Sequence, residues 1–306
     1  MNMVYKKFNP SVVIIILNWN SCDDTEECLK SLEKVIYKSF TIIVVDNGSD
    51  NTDCLALKSK FPKIELIVSK ENLGFTGGNN LGIEYAKKNN PDYILLLNND
   101  TTVEPDFINH LLLVFYKHKN VGIAAPLINY YYEPGKIWSE GGKVSRIRGS
   151  GFANSIHHIE KARFNDKSVS FVSGCCMLIK AKILDEIGLF DDNYFLYIED
   201  VDFCKRVIDG GYGIFVSNQS RIYHKVSSST NKSFSQLPLY YATRNRLYFA
   251  KKNFPKTYLL TFLYLSISMW VKKIYWKFKG KQNYIFIVRK AFNDFREGKM
   301  GKREFI

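Results

Sequence analysis

Three observations predict an α/β architecture built on a doubly wound, mostly parallel sheet. Strand-like and helix-like segments alternate through the first hundred residues, the apolar runs lack polar alternation, and polar clusters follow three of those runs directly. Unbroken β-branched runs suit strands covered on both faces. In such sheets ligands bind beyond the carboxyl ends of the strands, near a topological switch.

Residues 11–16, Ser-Val-Val-Ile-Ile-Ile, predict the first strand, and the Asn18-Trp19-Asn20 loop follows it. Asp23 and Asp24 suit a helix start, after which Cys28, Leu29 and Leu32 recur at helical spacing. A second strand over 40–45 ends in the turn-forming cluster Asp46-Asn47-Gly48-Ser49. The alternation continues with a helix near 53–60, a strand over 64–69, a glycine-rich loop over 72–78, a helix over 79–88 and a strand over 93–97. Residues 103–170 predict a helix, a strand around 121–126 and then loops rich in Gly, Ser, Tyr and Trp. A strand over 171–180, a short helix over 181–187 stopped by Gly188, and a helix over 199–208 ending at Gly210-Gly211 come next. From Tyr240 the chain turns to aromatic and basic helix, with a boundary near 235.

With 306 residues, 46% hydrophobic and 24% charged, the chain can bury a full core and is not expected to be disordered. Aromatics reach 15%, a share that suits sugar or membrane surfaces but also a plain core. The net charge of +13 gathers at the end, with 11 Lys or Arg against 3 Asp or Glu from Lys272 onward. That bias fits anionic lipid headgroups, nucleic acid or an anionic substrate, and equally a solvated basic face. Residues 257–271 are uncharged, yet as a helix they would rise only about 22 Å against a hydrocarbon core of about 30 Å. The apolar run 12–17 is too short for a signal peptide, and the cysteines at 22, 28, 54, 175, 176 and 204 have neither CxxC spacing nor the density of a disulfide scaffold. A reducing, cytoplasmic setting is therefore expected.

Five clusters can carry chemistry. Asp46 at a strand end can accept hydrogen bonds from a pyrimidine or ribose, although its cluster is also an ordinary turn. The run from Asn72 to Asn79 offers bare backbone N–H groups to a nucleotide, or makes a tight turn; it is neither GxGxxG nor a Walker sequence, which counts against an NAD dehydrogenase and a P-loop NTPase. Asp100, in Asn98-Asn99-Asp100, can offer an oxygen to Mg²⁺ or Mn²⁺, with an Asx turn as the alternative. Glu199, Asp200 and Asp202 crowd a helix start, where repulsion can tune one carboxylate as a general base or all three can simply face the helix dipole. His224 can complete a mixed oxygen and nitrogen shell, with Lys225 and the following serines donating to phosphate, or it can be a structural histidine.

In order along about residues 11–250, these segments resemble the family-two glycosyltransferases of GT-A fold, especially the rhamnosyltransferase-like branch. The signposts are Val13-Ile14-Ile15-Ile16-Leu17-Asn18-Trp19-Asn20, Val44-Val45-Asp46-Asn47-Gly48-Ser49, Asn72-Leu73-Gly74-Phe75 with Gly78-Asn79, Leu97-Asn98-Asn99-Asp100-Thr101, Gly188-Leu189-Phe190-Asp191, Glu199-Asp200-Val201-Asp202 and Tyr223-His224. The chain departs from the family where many members carry Asp-X-Asp, since Asn98 replaces the first carboxylate.

The resemblance implies a GT-A catalytic domain over 1–235, its mixed, mostly parallel sheet flanked by helices. A nucleotide-binding half would cover about 1–102 and an acceptor-binding half about 103–235, followed by a helical, basic region over 236–306. It implies nucleotide contacts from Asn18, Asp46, Gly74, Gly78, Asn79, Asn98 and Asn99, and a Mg²⁺ or Mn²⁺ site at Asp100 and His224. Asp200 would be the catalytic base, Glu199 would touch the acceptor or position the loop, and Asp202 would cap or pair within its helix. The activity implied is inverting transfer of a sugar, rhamnose by resemblance, from a dTDP- or UDP-sugar to a hydroxyl of a glycan or lipid-linked glycan. The aromatic and basic segment over 258–281 suggests a peripheral place on the cytoplasmic face of the membrane, without nucleic acid as a partner.

Two rivals belong to other classes. A nucleotidyltransferase that makes the donor would usually carry an N-terminal glycine- and basic-rich triphosphate loop, but residues 11–25 hold no Gly, Lys or Arg. A non-catalytic basic membrane- or nucleic-acid-binding module explains the tail but not the ordered acidic clusters.

Overall fold

The computed structural model describes residues 9–50, 54–153, 165–226 and 236–304. Four parallel strands form one half of the sheet: β1 (Val12–Asn18), β2 (Phe40–Asp46), β3 (Glu65–Val68) and β4 (Tyr93–Asn98). Between them run helices α1 (Cys22–Glu33), α2 (Leu55–Lys60) and α3 (Gly74–Lys87). β1 lies between β2 and β4, so the strand order reverses there and a crevice opens at the carboxyl ends. In register across that edge, Asn18 faces Asp46 and Leu17 faces Asn98.

The other half contains β5 (Thr101–Val103), α4 (Phe107–Lys117), β6 (Val121–Tyr130), β7 (Ile137–Ser139), β8 (Gly142–Ser145), β9 (Ser150–Ala153), β10 (Lys167–Val169) and β11 (Cys176–Lys180). It continues through α5 (Ile183–Ile187), α6 (Glu199–Asp209) and β12 (Gly213–His224). The main sheet runs β10-β12-β6-β11-β4-β1-β2-β3, with β11 antiparallel to both neighbours and β6 parallel to β12. β8 and β9 form a separate hairpin.

Alternating side chains explain why the strands read as unbroken apolar runs. Val12, Ile14 and Ile16 pack with Cys28, Leu29 and Leu32 of α1 and Phe107 of α4 on one face. Val13 and Ile15 pack with Ile83 of α3 and Phe203 of α6 on the other. Both faces are covered, as parallel strands require.

Three expectations need correction. The stretch 72–78 is not a loop before a helix, because α3 begins at Gly74 and contains Gly77 and Gly78. The middle region holds short strands β7–β10 where loops were expected; three or four residues are too few to show alternation. β12 escaped notice because polar residues at 217–221 interrupt its apolar pattern, where the register with β6 also shifts.

The chain ends in α7 (Gln236–Asn253), a 3₁₀ turn (Pro255–Thr257), α8 (Tyr258–Phe278) and α9 (Gln282–Arg296). These helices pack on the α/β unit: Phe249 of α7 joins Tyr194 and Val201 in one buried cluster. Arg244 of α7 is fully buried and donates to the carbonyl oxygens of Asn193, Tyr194, Lys299 and Gly301. A charge so deep is tolerated because its donors are met.

Candidate active site at the carboxyl edge of the sheet

The ends of β1, β2 and β4 carry a connected polar network. The Asn18 amide donates to Asp46 at 3.3 Å and Ser49 at 3.2 Å, while its oxygen accepts from Thr25 at 2.8 Å and Asn99 at 3.3 Å. Asn99 also donates to the Ser21 carbonyl and to Thr25, so it ties the β4 end to the start of α1. Asp46 accepts from Ser49 as well and is only 4% exposed. Thr101 closes the tight β4–β5 turn by donating to the Asn98 carbonyl at 2.7 Å.

Beside this network opens a cavity of about 650 Å³, lined by residues that include Trp19, Asn47, Gly74, Phe75, Asn98, Asn99 and Asp100. Of the sequence-predicted nucleotide residues, Gly74, Asn98 and Asn99 reach its wall, whereas Asn18 and Asp46 lie behind it in the network. Gly74 has φ +74°, and a Cβ there would stand 2.3 Å from the Phe195 carbonyl oxygen, so only glycine fits. Gly78 and Asn79 are in the body of α3. A Cβ on Gly78 would meet Leu17 at 2.4 Å, and Asn79 donates to the Phe75 carbonyl, so the structure gives both a packing role.

Asp100 and His224 meet at the edge of the cavity, with Oδ1 3.1 Å from Nε2. Both are about nine-tenths buried. Apart from this pairing, Asp100 Oδ1 makes no further contact with a donor. Burial opposes charge on His224, but Cys175 and Asp100 outweigh it and push the imidazole up to about 10. Since burial raises the Cys175 thiol itself and keeps it neutral, Asp100 is the partner that matters. Lys225 is not available to phosphate as the sequence suggested, because it pairs with Asp24 and Glu27; Ser227, Ser228 and Ser229 lie outside the described residues. Among the described residues no cluster of three or more acidic, His or Cys side chains could hold a metal, so Asp100 and His224 stand as a pair.

Glu199 and Asp200 open α6. Asp200 accepts from the backbone N–H of Gly174 at 3.0 Å and of Val201 at 2.8 Å. Burial pushes its carboxyl up to about 6, against the pull of those N–H groups. Glu199 is raised well above the usual carboxylate range, first by burial and then by repulsion from Asp200, and its Oε2 has no hydrogen-bond partner. Asp202 is fully buried and bound to Arg206, Lys252, Tyr194 and Asn253.

The segment before α6 is strained, since Phe195, Tyr197 and Ile198 all take positive φ, which is most costly for the β-branched Ile198. Asn245 of α7, itself fully buried, donates to the carbonyls of Tyr194, Leu196 and Tyr197. Sequence reasoning missed this clamp because it joins positions about fifty residues apart.

The structure also joins Cys22 to Cys54 in a disulfide, where spacing had suggested none. The two lie 32 residues apart, and the β1–α1 and β2–α2 connections bring their Cα atoms to 5.6 Å. Motif spacing cannot see a pairing that only the topology creates.

The glycosyl transferase family 2 model matches residues 11–188. An N-acetylglucosaminyl-diphospho-decaprenol L-rhamnosyltransferase of Mycobacterium tuberculosis is 24% identical over 246 residues, covering 73% of this chain and 79% of that protein. The low-salt glycan biosynthesis hexosyltransferase Agl10 of Haloferax volcanii is 28% identical, covering 84% and 82%. A dTDP-rhamnosyl transferase, RfbF, of Shigella flexneri is 24% identical, covering 69% and 71%. Among solved structures, GalNAc-T7 with UDP, GalNAc and Mn²⁺ superposes with a TM-score of 0.62 at 15% identity, covering 78% of this chain; the chain spans 48% of that protein. S. aureus TarS 1-349 superposes with a TM-score of 0.52 at 16% identity, covering 80% of this chain and 66% of that one. These likenesses show the GT-A fold. With more than half of its length matched and its strand ends built as described, the chain belongs to glycosyl transferase family 2.

Proposed function

We propose that this glycosyltransferase moves a sugar, rhamnose in the first instance, from a dTDP- or UDP-sugar to a hydroxyl of a glycan or lipid-linked glycan, with inversion at the anomeric carbon. The observation that carries the reading is the cavity at the switch point, where Asn98, Asn99 and Asp100 share one wall with aromatic Trp19 and Phe75. Relatives named as rhamnosyltransferases support the sugar, and the decaprenol-linked substrate in one name supports the acceptor class. Roles in envelope or polysaccharide synthesis follow from those acceptors.

In this reading Asn98, Asn99 and Gly74 border the nucleotide, while Asn18 and Asp46 hold the strand ends that shape its pocket. Asp100 and His224 would hold Mg²⁺ or Mn²⁺: the pair offers one carboxylate and one imidazole, and water and diphosphate oxygens complete such shells. A bound cation would neutralise charge gathering on the departing diphosphate. Asp200 takes the acceptor proton. Glu199, raised by burial and by repulsion from Asp200, holds its proton the more firmly of the two, which leaves Asp200 as the member of the pair that ionises first.

A thermal-shift series tests donor recognition, because a ligand of the native state raises the melting temperature by mass action. We expect dTDP or UDP to stabilise the protein in the presence of Mn²⁺, and thymidine or uridine to do so less. Absence of a shift with every nucleoside diphosphate would contradict the assignment.

The acceptor class also fits a peripheral place on the cytoplasmic membrane face. Along α8, Leu263, Ile267, Trp270, Ile274 and Phe278 recur three or four residues apart, and each is between 41% and 86% exposed. The opposite face, with Leu265, Met269 and Trp276, is buried on α7 and α9. Lys272, Lys273 and Lys277 flank the exposed stripe, an arrangement that suits anionic headgroups. Among the described residues no helix is long and apolar enough to cross a membrane. Replacing Ile267 and Trp270 together by Asp should reduce co-sedimentation with anionic vesicles by about 10²-fold, since each side chain contributes about 1.5–3 kcal/mol on burial. Unchanged co-sedimentation would reject membrane attachment through this face.

A further inference from the structure

The cavity wall includes residues from the far end of the chain, which the family match at 11–188 does not reach: Lys302, Arg303 and Glu304. Lys302 and Arg303 are the only cationic side chains among its described lining residues. Other nearby cations are committed, Lys225 to Asp24 and Glu27, and His224 to Asp100.

The tail reaches the cavity by specific anchoring. Gly301 donates its N–H to the Asn193 carbonyl at 2.8 Å and accepts from Arg244 at 2.9 Å, and the Arg303 N–H donates to the Tyr241 hydroxyl at 3.0 Å. Arg244 binds the carbonyls of Asn193 and Tyr194 with the same guanidinium, so one buried side chain fixes both the tail and the strained segment leading to Asp200. The two cationic heads are only lightly held. Lys302 meets Glu71 at 3.3 Å on the surface, and Arg303 Nε lies 3.6 Å from Asp294 without a hydrogen bond.

We infer that Lys302 and Arg303 form a diphosphate clamp, in which the chain's own C-terminal tail closes the donor cavity and binds the pyrophosphate of a nucleotide sugar. The inference rests on the donor reading above. A sugar nucleotide brings negative charge into a cavity whose other charged lining residues are Asp100 and Glu304, so the tail supplies the positive charge that the protein must provide. The same contacts strengthen as the sugar leaves and charge grows on the diphosphate.

The test compares binding of dTDP, UDP, thymidine and uridine to wild type and to Lys302→Gln/Arg303→Gln, using the full chain with Mn²⁺ and at two salt concentrations. Both substitutions are at partly exposed positions, and circular dichroism with an unchanged melting temperature confirms the fold. The clamp predicts about 10-fold or greater weakening for the bound diphosphate, little change for its nucleoside, a shallower salt dependence, and partial rescue by Lys302→Arg/Arg303→Lys. Wild-type binding of dTDP or UDP with equal affinity in the double Gln variant overturns the clamp alone. Failure of wild type to bind either diphosphate removes the donor reading together with the clamp.

Discussion

Asp200→Asn is expected to lower turnover by about 10²-fold or more, the scale of lost general-base catalysis, while donor binding stays near wild type. Successive helix residues diverge by about 100°, so Glu199, Asp200 and Asp202 cannot all address one acceptor hydroxyl. Asp202 is occupied by Arg206 and Lys252. Between the other two, burial and mutual repulsion keep Glu199 protonated more firmly than Asp200, whose carboxyl is pushed up to about 6. The base must be ionised, so kcat/KM should fall as pH drops through about 6, and that limb should vanish in Asp200→Asn. The raised value also means that the folded state binds this proton more tightly than the unfolded one. The ionised group therefore costs stability as pH rises from the ordinary carboxylate range through about 6, and Asp200→Asn should melt no lower than wild type at pH 8. Near-normal turnover in Asp200→Asn beside a collapse in Glu199→Gln would transfer the role to Glu199.

Asp100→Ala and His224→Ala are each expected to weaken Mn²⁺-dependent donor binding by more than about 10-fold, because even the outer partners of a bound cation are worth about 10–100-fold in affinity. Without a cation the two side chains neutralise each other at 3.1 Å. His224 must lose the proton that Asp100 helps to hold before its Nε2 is free to coordinate, so Mn²⁺ affinity should rise with pH. Titration of Mn²⁺ by calorimetry at two pH values checks both expectations. Full turnover after EDTA treatment, or an unaltered metal response in both Ala variants, would remove the cation site.

The sheet was legible because β1, β4 and the second half of β2 are buried on both faces, and their unbroken apolar runs, β-branched in β1 and β2 and leucine-rich in β4, carry that burial in composition alone. The place of Asn98-Asn99-Asp100 at the carboxyl edge of the sheet, on the wall of the cavity, was legible for a related reason, as a polar cluster directly after an apolar strand marks where the strand ends. The Gly74–Gly78 stretch misled because glycines signal turns locally, whereas here they admit Phe195 and Leu17 against a helix already begun. The Asn245 clamp and the Lys302–Arg303 wall were illegible, since both depend on α7 and α9 folding back across more than forty residues of intervening chain. A basic tail and an aromatic helix look alike in composition whether they face lipid, solvent or a cavity.

The stereochemistry of transfer separates direct displacement at the anomeric carbon from a route that keeps the donor's configuration. Incubation with a dTDP- or UDP-sugar and a glycan hydroxyl acceptor, followed by NMR assignment of the anomeric configuration in the product, should show inversion relative to the donor together with release of the nucleoside diphosphate. A product that keeps the donor's anomeric configuration would contradict direct displacement assisted by Asp200 and the account built on it.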